Sequence, residues 1–182
     1  MKNLTIIVLL YIIPITVQAQ FNDKVSEIPF SHQVEKSMSL DKICSLIGKS
    51  GKFQTIERDK SGKMAAKLGR VAISGDTIFY RIKIRNKSNI NYDIDFIRFY
   101  IRDLKTAKRT VTQELEVYPL YSHGIEDSTI DGQSSTEYVF ALHKIPLSKD
   151  KALFIELYED NGGRHMYLKA DQSDIENARP VK

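Results

Sequence analysis

Two aspartates, Asp93 and Asp95, have the types and spacing that come nearest to chemistry in this sequence. They are two positions apart in a segment with strand character, so both side chains are expected on one face. Such a pair suits a bound cation or general acid–base catalysis. The interpretation we favour is an exposed carboxylate pair, facing the outward Arg81, Lys83 and Arg85 across a hairpin.

Other patterns for catalysis or metal binding are missing from the sequence. The four histidines are His32, His123, His143 and His165. None has another histidine at helical ligand spacing, and a single cysteine, Cys44, cannot build a zinc site. Gly48-Lys49-Ser50 imitates the end of a phosphate-binding loop, but Ile43 stands where the upstream glycine is required. The sequence therefore predicts no catalytic residue, no cofactor and no metal, and Cys44 is expected to be a small buried apolar residue.

The pattern after Lys63 predicts an all-β domain. Alternating apolar residues, with turn residues about every ten positions, favour an immunoglobulin-like sandwich of about seven strands, and an incomplete barrel is the alternative. The predicted strands are Met64–Ile73, Thr77–Arg85, Tyr92–Arg102, Thr110–Tyr118, Ser135–Leu142, Ala152–Tyr158 and Arg164–Lys169. A loop is expected over Leu120–Ser134, and a hairpin turn over Asp160–Gly163. Ser173 and Glu176 match a capping box for one short helix before Pro180.

The third of these strands changes phase. Ile94 and Phe96 share one parity, whereas Ile97, Phe99 and Ile101 share the other. All five can face the core only if a residue is inserted, so a β-bulge is predicted near Phe96-Ile97.

Some residues are assigned to a face from strand parity alone. Inward positions of the second and fourth strands are Ile78, Tyr80, Ile82, Ile84, Val111, Leu115 and Val117. Outward positions after the bulge are Arg98, Tyr100 and Arg102. Phe79, Tyr100 and Tyr118 are outward aromatic residues, which suit a contact surface. The alternative is that these three rings pack on each other or under the N-terminal segment.

The N-terminal part predicts export. Residues 1–19 have a charged start, an apolar run and small residues before Gln20, which is typical of a cleaved signal peptide. The run is shorter than a membrane-spanning helix. Residues 20–63 are predicted to be a tether that contains one short helix, beginning near Ser39 and ending at Gly48. The apolar face of this helix is formed by Leu40, Ile43, Cys44 and Ile47. A loop is expected over residues 49–63. The domain at residues 64–182 is expected in the periplasm without a direct membrane span, and association with the outer membrane is left open.

The charge argues against nucleic-acid binding. The 182 residues carry a formal net charge of +4, and we expect the basic residues to be spread along strands rather than massed on one face.

Four blocks of this sequence are distinctive: NKSNINYDIDFIRFYIRD at residues 86–103, AKRT at 107–110, YPLY at 118–121 and NGGRH at 161–165. Together they resemble the TraN family of Bacteroidetes-type conjugative transposons. The resemblance covers residues 64–180 in the same order throughout. Family members are typically longer, with a further domain before the sandwich, so ring assembly through that domain is not expected here.

The resemblance implies a non-enzymatic, exported component of a conjugative transfer apparatus. It looks like the β-sandwich subunit in the outer-membrane core complex of type IV secretion systems, which contacts a lipoprotein and a pore subunit. No catalytic residue is carried over. The partner-contact candidates are Asn89, Tyr92, Asp93, Asp95, Arg98, Tyr100, Arg102, Arg109, Arg164 and His165. These residues have a structural alternative, as turn residues and cross-strand ion pairs.

Two other functions remain open from the sequence. One is a periplasmic ligand- or glycan-binding sandwich, which needs a concave site lined by aromatic residues such as Tyr100 and Tyr118. The other is a hydrolase that uses Asp93 and Asp95.

Overall fold

The structure is a computed structural model that describes residues 30–104 and 114–181. The helices are α1 (Phe30–Lys49) and α2 (Gln172–Glu176). The strands are β1 (Thr55–Ser61), β2 (Met64–Gly69), β3 (Ala72–Ser74), β4 (Thr77–Asn86), β5 (Tyr92–Asp103), β6 (Leu115–Val117), β7 (Tyr121–His123), β8 (Thr129–Ile130), β9 (Ser135–His143), β10 (Lys151–Glu159), β11 (Met166–Asp171) and β12 (Arg179–Pro180).

The strands form two sheets. In the first sheet β4 is central: β9 pairs with one of its edges, and β3 and then β2 pair with the other. β1 extends this sheet beyond β2, β7 extends it beyond β9, and β12 lies beside β3. The second sheet has the order β11-β10-β5-β6, with β8 on the start of β5. All pairs are antiparallel except β3 with β12, so the predicted all-β sandwich is confirmed.

The core lies between the two sheets. Side chains of alternating parity from both sheets meet there, as expected for a sandwich. Phe99 of β5 contacts Phe140 of β9 edge-to-face, with ring centroids 4.9 Å apart, and Tyr80 of β4 packs beside Phe99. The inward residues predicted for the second strand, Ile78, Tyr80, Ile82 and Ile84, are all buried in this core.

A second apolar cluster holds α1 against the outer side of the first sheet. Leu40, Cys44 and Ile47 are buried on one helix face and pack on Phe79 of β4 and Val139 of β9. The predicted helix and its apolar face are therefore confirmed. The helix begins earlier than predicted, at Phe30, because residues assigned to a tether continue the same helix.

Five of the predicted strands match observed elements closely, and two need correction. The first is interrupted at Arg70-Val71, and the pieces β2 and β3 pair with the same edge of β4 in registers that differ by one residue. The fourth is represented in the described chain by β6, where Leu115 is 62% exposed and not inward as predicted. Val117 is buried, and Val111 lies outside the described residues, as does the predicted signal peptide.

Two segments predicted as loops contain strands, and so the described chain has twelve strands, not about seven. Residues 49–63 contain β1, which pairs with β2, and Leu120–Ser134 contains β7 and β8. These strands are short or polar, so their periodicity is hidden in the sequence. The hairpin over Asp160–Gly163 is confirmed, since it joins the antiparallel strands β10 and β11.

The C-terminal helix is capped two residues earlier than predicted. Asp171 is the N-cap, and its side chain accepts a hydrogen bond from the amide of Asp174, whose own carboxylate accepts one from Asp171. This reciprocal pair is a capping box. Ser173 and Glu176 lie inside the helix.

The predicted bulge is present in β5 one residue before the expected place. Tyr158 of β10 pairs with Phe96 and Glu159 pairs with Ile94, so Asp95 is the extra residue. Phe96 therefore belongs to the outer face, where it is 40% exposed, and not to the core as predicted. Ile97, Phe99 and Ile101 point inward as predicted.

The predicted charge ladder between β4 and β5 is wrong, because these consecutive strands lie in different sheets. Arg81 and Lys83 instead pair with Glu137 of β9, at nitrogen–oxygen distances of 2.6 and 2.9 Å. The first sheet also brings basic residues of three strands to one face, so the expectation that the positive charge is spread out is wrong as well.

Cys44 gives a direct test of how firmly α1 is held. Its side chain is 0% exposed, and burial, with a smaller contribution from Asp41, raises the pKa of the thiol to about 12. Because the thiolate is the reactive form, we expect a disulfide-exchange reagent to label the native protein at least ~100-fold more slowly than the unfolded protein. Labelling is followed by absorbance, with and without denaturant. Equally fast labelling of both states would mean that α1 leaves the sheet readily.

Candidate functional site

The outer face of the second sheet carries aromatic and arginine side chains in cross-strand rows. Register places Phe96 beside Tyr158, Arg98 beside Glu156, and Tyr100 beside Phe154. On the other side of β10, Tyr167 of β11 lies opposite Glu156. We call this surface the aromatic–arginine face; its members are Phe96, Arg98, Tyr100, Arg102, Phe154, Glu156, Tyr158, His165 and Tyr167.

Glu156 is the polar centre of this face. It is buried and accepts hydrogen bonds from Tyr100, at 2.8 Å, and from Arg98, at 2.8 and 3.1 Å. Burial, and then the hydrogen bond to Glu156, raises the pKa of Tyr100 well above its usual range. The phenol therefore remains a donor, as the buried carboxylate requires.

Two guanidinium groups cover the aromatic rings of the same face. Arg98 lies over Tyr100 at 4.7 Å from the ring centroid, and Arg102 lies over Phe154 at 4.3 Å. The Tyr100 and Phe154 rings stack at 5.5 Å. Glu114 bridges the two arginines at 3.4 and 3.6 Å. Cation–π contacts and ion pairs together hold both arginines in place.

A second group of rings lies at the bulge. Phe96 stacks on Tyr158 at 4.6 Å, and Tyr158 stacks on His165 at 4.1 Å. The hydroxyls of Tyr158 and Tyr167 lie 3.1 Å apart, and this hydrogen bond, with burial second, raises the pKa of Tyr167 to about 12. Tyr167 is 45% exposed, so this group presents apolar ring surface to solvent.

Arg164 organises the neighbouring end of the sandwich. It forms an ion pair with the buried Glu159 and donates hydrogen bonds to Ser88 Oγ at 3.2 Å and the Asn91 carbonyl at 2.7 Å. Its guanidinium lies 5.3 Å from the centre of the Tyr92 ring. Hydrogen bonding to Arg164 lowers the pKa of Glu159. Arg164 thus ties the β10–β11 hairpin to the turn before β5.

Two of the remaining candidates, Asn89 and Asp93, accept hydrogen bonds from neighbouring side chains. Asn89 Oδ1 accepts a hydrogen bond from the Gln133 side chain at 2.9 Å, and Asp93 Oδ1 accepts one from Thr129 Oγ1 at 2.7 Å. Tyr92 is fully buried, and its hydroxyl has no partner among the described residues. Asp95 is exposed at the bulge. The hydrogen bonds of Asn89 and Asp93 agree with the structural alternative for these two residues.

The structure divides the predicted candidates into two neighbouring groups. Arg98, Tyr100 and Arg102 lie on the aromatic–arginine face, and His165 joins that face through Tyr158. Asn89, Tyr92, Asp93 and Arg164 lie at the adjoining end of the sandwich, with Asp95 at the bulge between the groups. Arg109 lies outside the described residues.

Two of the three predicted outward aromatic residues are buried. Phe79 lies beneath α1, in agreement with the alternative that these rings pack under the N-terminal segment. Tyr100 is on the outer face but only 1% exposed, because the two arginines and Phe154 cover it. Tyr118 is 73% exposed. A concave site lined by Tyr100 and Tyr118 is therefore not formed.

Sequence reasoning missed five members of the face: Phe96, Phe154, Glu156, Tyr158 and Tyr167. One signal was present in the predicted strand over residues 152–158. Leu153, Ile155 and Leu157 have the inward parity, so Phe154 and Tyr158 have the outward parity and extend the exposed aromatic pattern.

The described residues contain no group of three or more metal-ligating side chains that could hold an ion. None of the helices in these residues combines the length and apolarity needed to cross a membrane.

A family model described as "Domain of unknown function (DUF4138)" matches residues 39–180. The match begins within α1 and ends in β12, so it includes every described strand. The chain belongs to this family. No curated protein matches it.

Tyr100→Phe tests the role of the buried Glu156. The variant keeps the ring but loses the hydroxyl that donates a hydrogen bond to the buried carboxylate of Glu156. The free energy of unfolding should therefore fall by about 2 kcal/mol. Urea denaturation measures the change. Tyr118→Phe, at an exposed tyrosine, is the matched control and should change nothing; equal effects in both variants would contradict the proposed hydrogen bond.

Arg164→Gln tests the ion pair with Glu159. Arg164 lowers the folded-state pKa of Glu159 below its ordinary value of 4.5. The stabilisation by the pair is therefore complete above that value and is lost as the pH falls through the lowered pKa. At about pH 6 the free energy of unfolding of Arg164→Gln should be about 3 kcal/mol lower than that of the original protein. Between about pH 6 and about pH 3 it should then fall by less than the free energy of unfolding of the original protein does.

Urea denaturation across this pH range gives both quantities. Lys151→Gln, which breaks an exposed pair with Asp103, is the control and should retain the original pH dependence. A pH dependence unchanged by Arg164→Gln would refute this account.

Proposed function

We propose that this protein is an exported, non-enzymatic component of a conjugative transfer apparatus, and that its sandwich docks on a partner protein through the aromatic–arginine face. The observation that carries the proposal is the exposure of Phe96 and Tyr167, 40% and 45%, beside arginines already held in place. Aromatic residues and arginine are the types enriched in protein interfaces.

The arrangement of the face supports binding to another protein. Arg98 is fixed by Glu156 and by the Tyr100 ring, and Arg102 by the Phe154 ring. Side chains that are ordered before binding lose little conformational entropy when a partner arrives. The face thus combines exposed apolar area with preorganised hydrogen-bond donors.

The setting of the proposal comes from the resemblance to TraN proteins. By that resemblance the partners are other transfer subunits in the periplasm, among them an outer-membrane lipoprotein and a pore subunit. The chemistry of the face suits such partners, since a protein surface offers both apolar side chains and carboxylates.

Affinity capture from outer-membrane extracts of cells that carry a transfer gene cluster tests the proposal. The tagged protein should recover other transfer subunits. Phe96→Ser with Tyr167→Ser should reduce recovery roughly tenfold, because exposed aromatic anchors dominate interface free energies. Leu46→Ser, at an exposed apolar residue of α1 on the opposite side of the sandwich, is the matched control.

Two results would overturn the proposal. One is recovery no better than that of an unrelated exported β-sandwich. The other is equal recovery by the double variant and by the Leu46→Ser control, which would place the contact on another surface.

A further inference from the structure

The outer face of the first sheet has a basic groove beside the area that α1 covers. Ala65 and Lys67 of β2 point away from the core and form its floor. Longer side chains from β1 and β4 form its walls and enclose a cavity of about 120 Å³. The residues that line this groove are Arg58, Lys60, Ala65, Lys67, Lys83, Arg85 and Lys87.

The strand register brings like charges into direct opposition in this groove. Arg58 lies opposite Lys67, and Lys67 lies opposite Lys83. Like charges directly across a sheet are destabilising. Glu137 compensates Lys83 at the end of the row, but none of the residues that line the cavity is acidic. Within the described chain Arg58, Lys60, Lys67 and Arg85 form no salt bridge.

The groove continues along the same face of β2. Gly69, two residues beyond Lys67, lines a second cavity of about 200 Å³ at the end of α1. This cavity is also free of acidic residues among those that line it, and its cations are Lys52, Arg70, Arg81 and Arg179. Arg81 has partners, since it pairs with Glu137 and donates to the carbonyls of Gly48 and Ser50.

The shape of the groove favours a linear anion over a flat anionic surface. Ala65 is buried although it points outward, because the basic side chains of the neighbouring strands stand above it. A bilayer surface would meet only the tips of those side chains. No large apolar residue lines the cavity at Ala65 to enter a membrane, and no aromatic ring is there to stack on a nucleobase. Phe53 lines the second cavity, where the Arg81 guanidinium lies over its ring at 5.1 Å.

The spacing of the cations matches an extended polypeptide. Along β1 and β4 the basic residues occupy alternate positions: Arg58 and Lys60, then Lys83 and Arg85. Alternate residues of a strand are roughly 6.6 to 6.8 Å apart, which is also the repeat of alternate side chains in a bound extended peptide. Ala65, the one small residue at the floor, leaves room for a peptide backbone between the longer side chains.

We propose that the basic groove binds an extended acidic segment of a partner protein, with aspartate or glutamate at alternate positions. This segment neutralises the opposed cations of β1, β2 and β4. The groove lies on the sheet opposite the aromatic–arginine face, so the proposal does not depend on the function of that face.

A labelled peptide of about ten residues with glutamate at every second position is the probe. Fluorescence anisotropy with the full chain should show binding that weakens at least roughly tenfold between about 50 mM and about 500 mM salt, because salt screens exposed charges. The matched peptide with glutamine in place of glutamate should not bind.

Arg58→Gln with Arg85→Gln should weaken binding of the glutamate peptide roughly tenfold. Lys144→Gln with Lys149→Gln removes the same charge at exposed sites outside the groove and should stay within about twofold of the original affinity. Thermal unfolding should show that the groove variant is as stable as the original protein or more so, since like-charge repulsion is reduced.

Three results would overturn the proposal. They are an absence of glutamate-peptide binding at the lower salt concentration, equal loss of affinity in the groove and control variants, and tighter binding of duplex DNA or of vesicles that contain anionic phospholipid. The last result would assign the groove to phosphate groups instead of carboxylates.

Discussion

The single extra residue at Asp95 is the constraint on which most of the candidate surface depends. β5 must bury Tyr92 and Ile94 before this point and Ile97, Phe99 and Ile101 after it. A strand with strict alternation cannot satisfy both sets, because its side chains change face at every residue. The bulge resolves the conflict and turns Phe96, Arg98, Tyr100 and Arg102 outward together.

The bulge also connects the two groups of candidate residues. Before it, β5 pairs with β8, and Arg164 lies over the ring of Tyr92. After it, β5 pairs with β10 in unbroken register and carries the aromatic–arginine face. Glu159 of β10 lies at the irregular position, opposite Ile94, and holds Arg164. This buried ion pair fixes the hairpin that places His165 against Tyr158. The contacts of Arg164 and the exposed rings are therefore parts of one arrangement.

The two outer faces of the sandwich differ because, among the described residues, a helix covers only one of them. α1 covers the apolar patch at Phe79 and Val139 on the first sheet and leaves the basic groove beside it. The second sheet has no such cover in the described chain, and its outward residues compensate each other: Glu156 and Glu114 neutralise Arg98 and Arg102, whose guanidinium groups cover two rings. One face is therefore electrostatically satisfied and partly apolar, and the other has basic residues that form no ion pair within the described chain.

The sequence by itself determined the local features: the alternation in β4, β9 and β10, the phase change in β5, the β10–β11 hairpin and the apolar face of α1. Each of these depends on side-chain period or on turn residues, which are local. Only the tertiary structure decided which strands pair, since period 2 assigns a face but not a neighbour. That decision placed β4 and β5 in different sheets, buried Tyr100 under Arg98 and Phe154, and set β1 beside β2, which brought the basic residues onto one face.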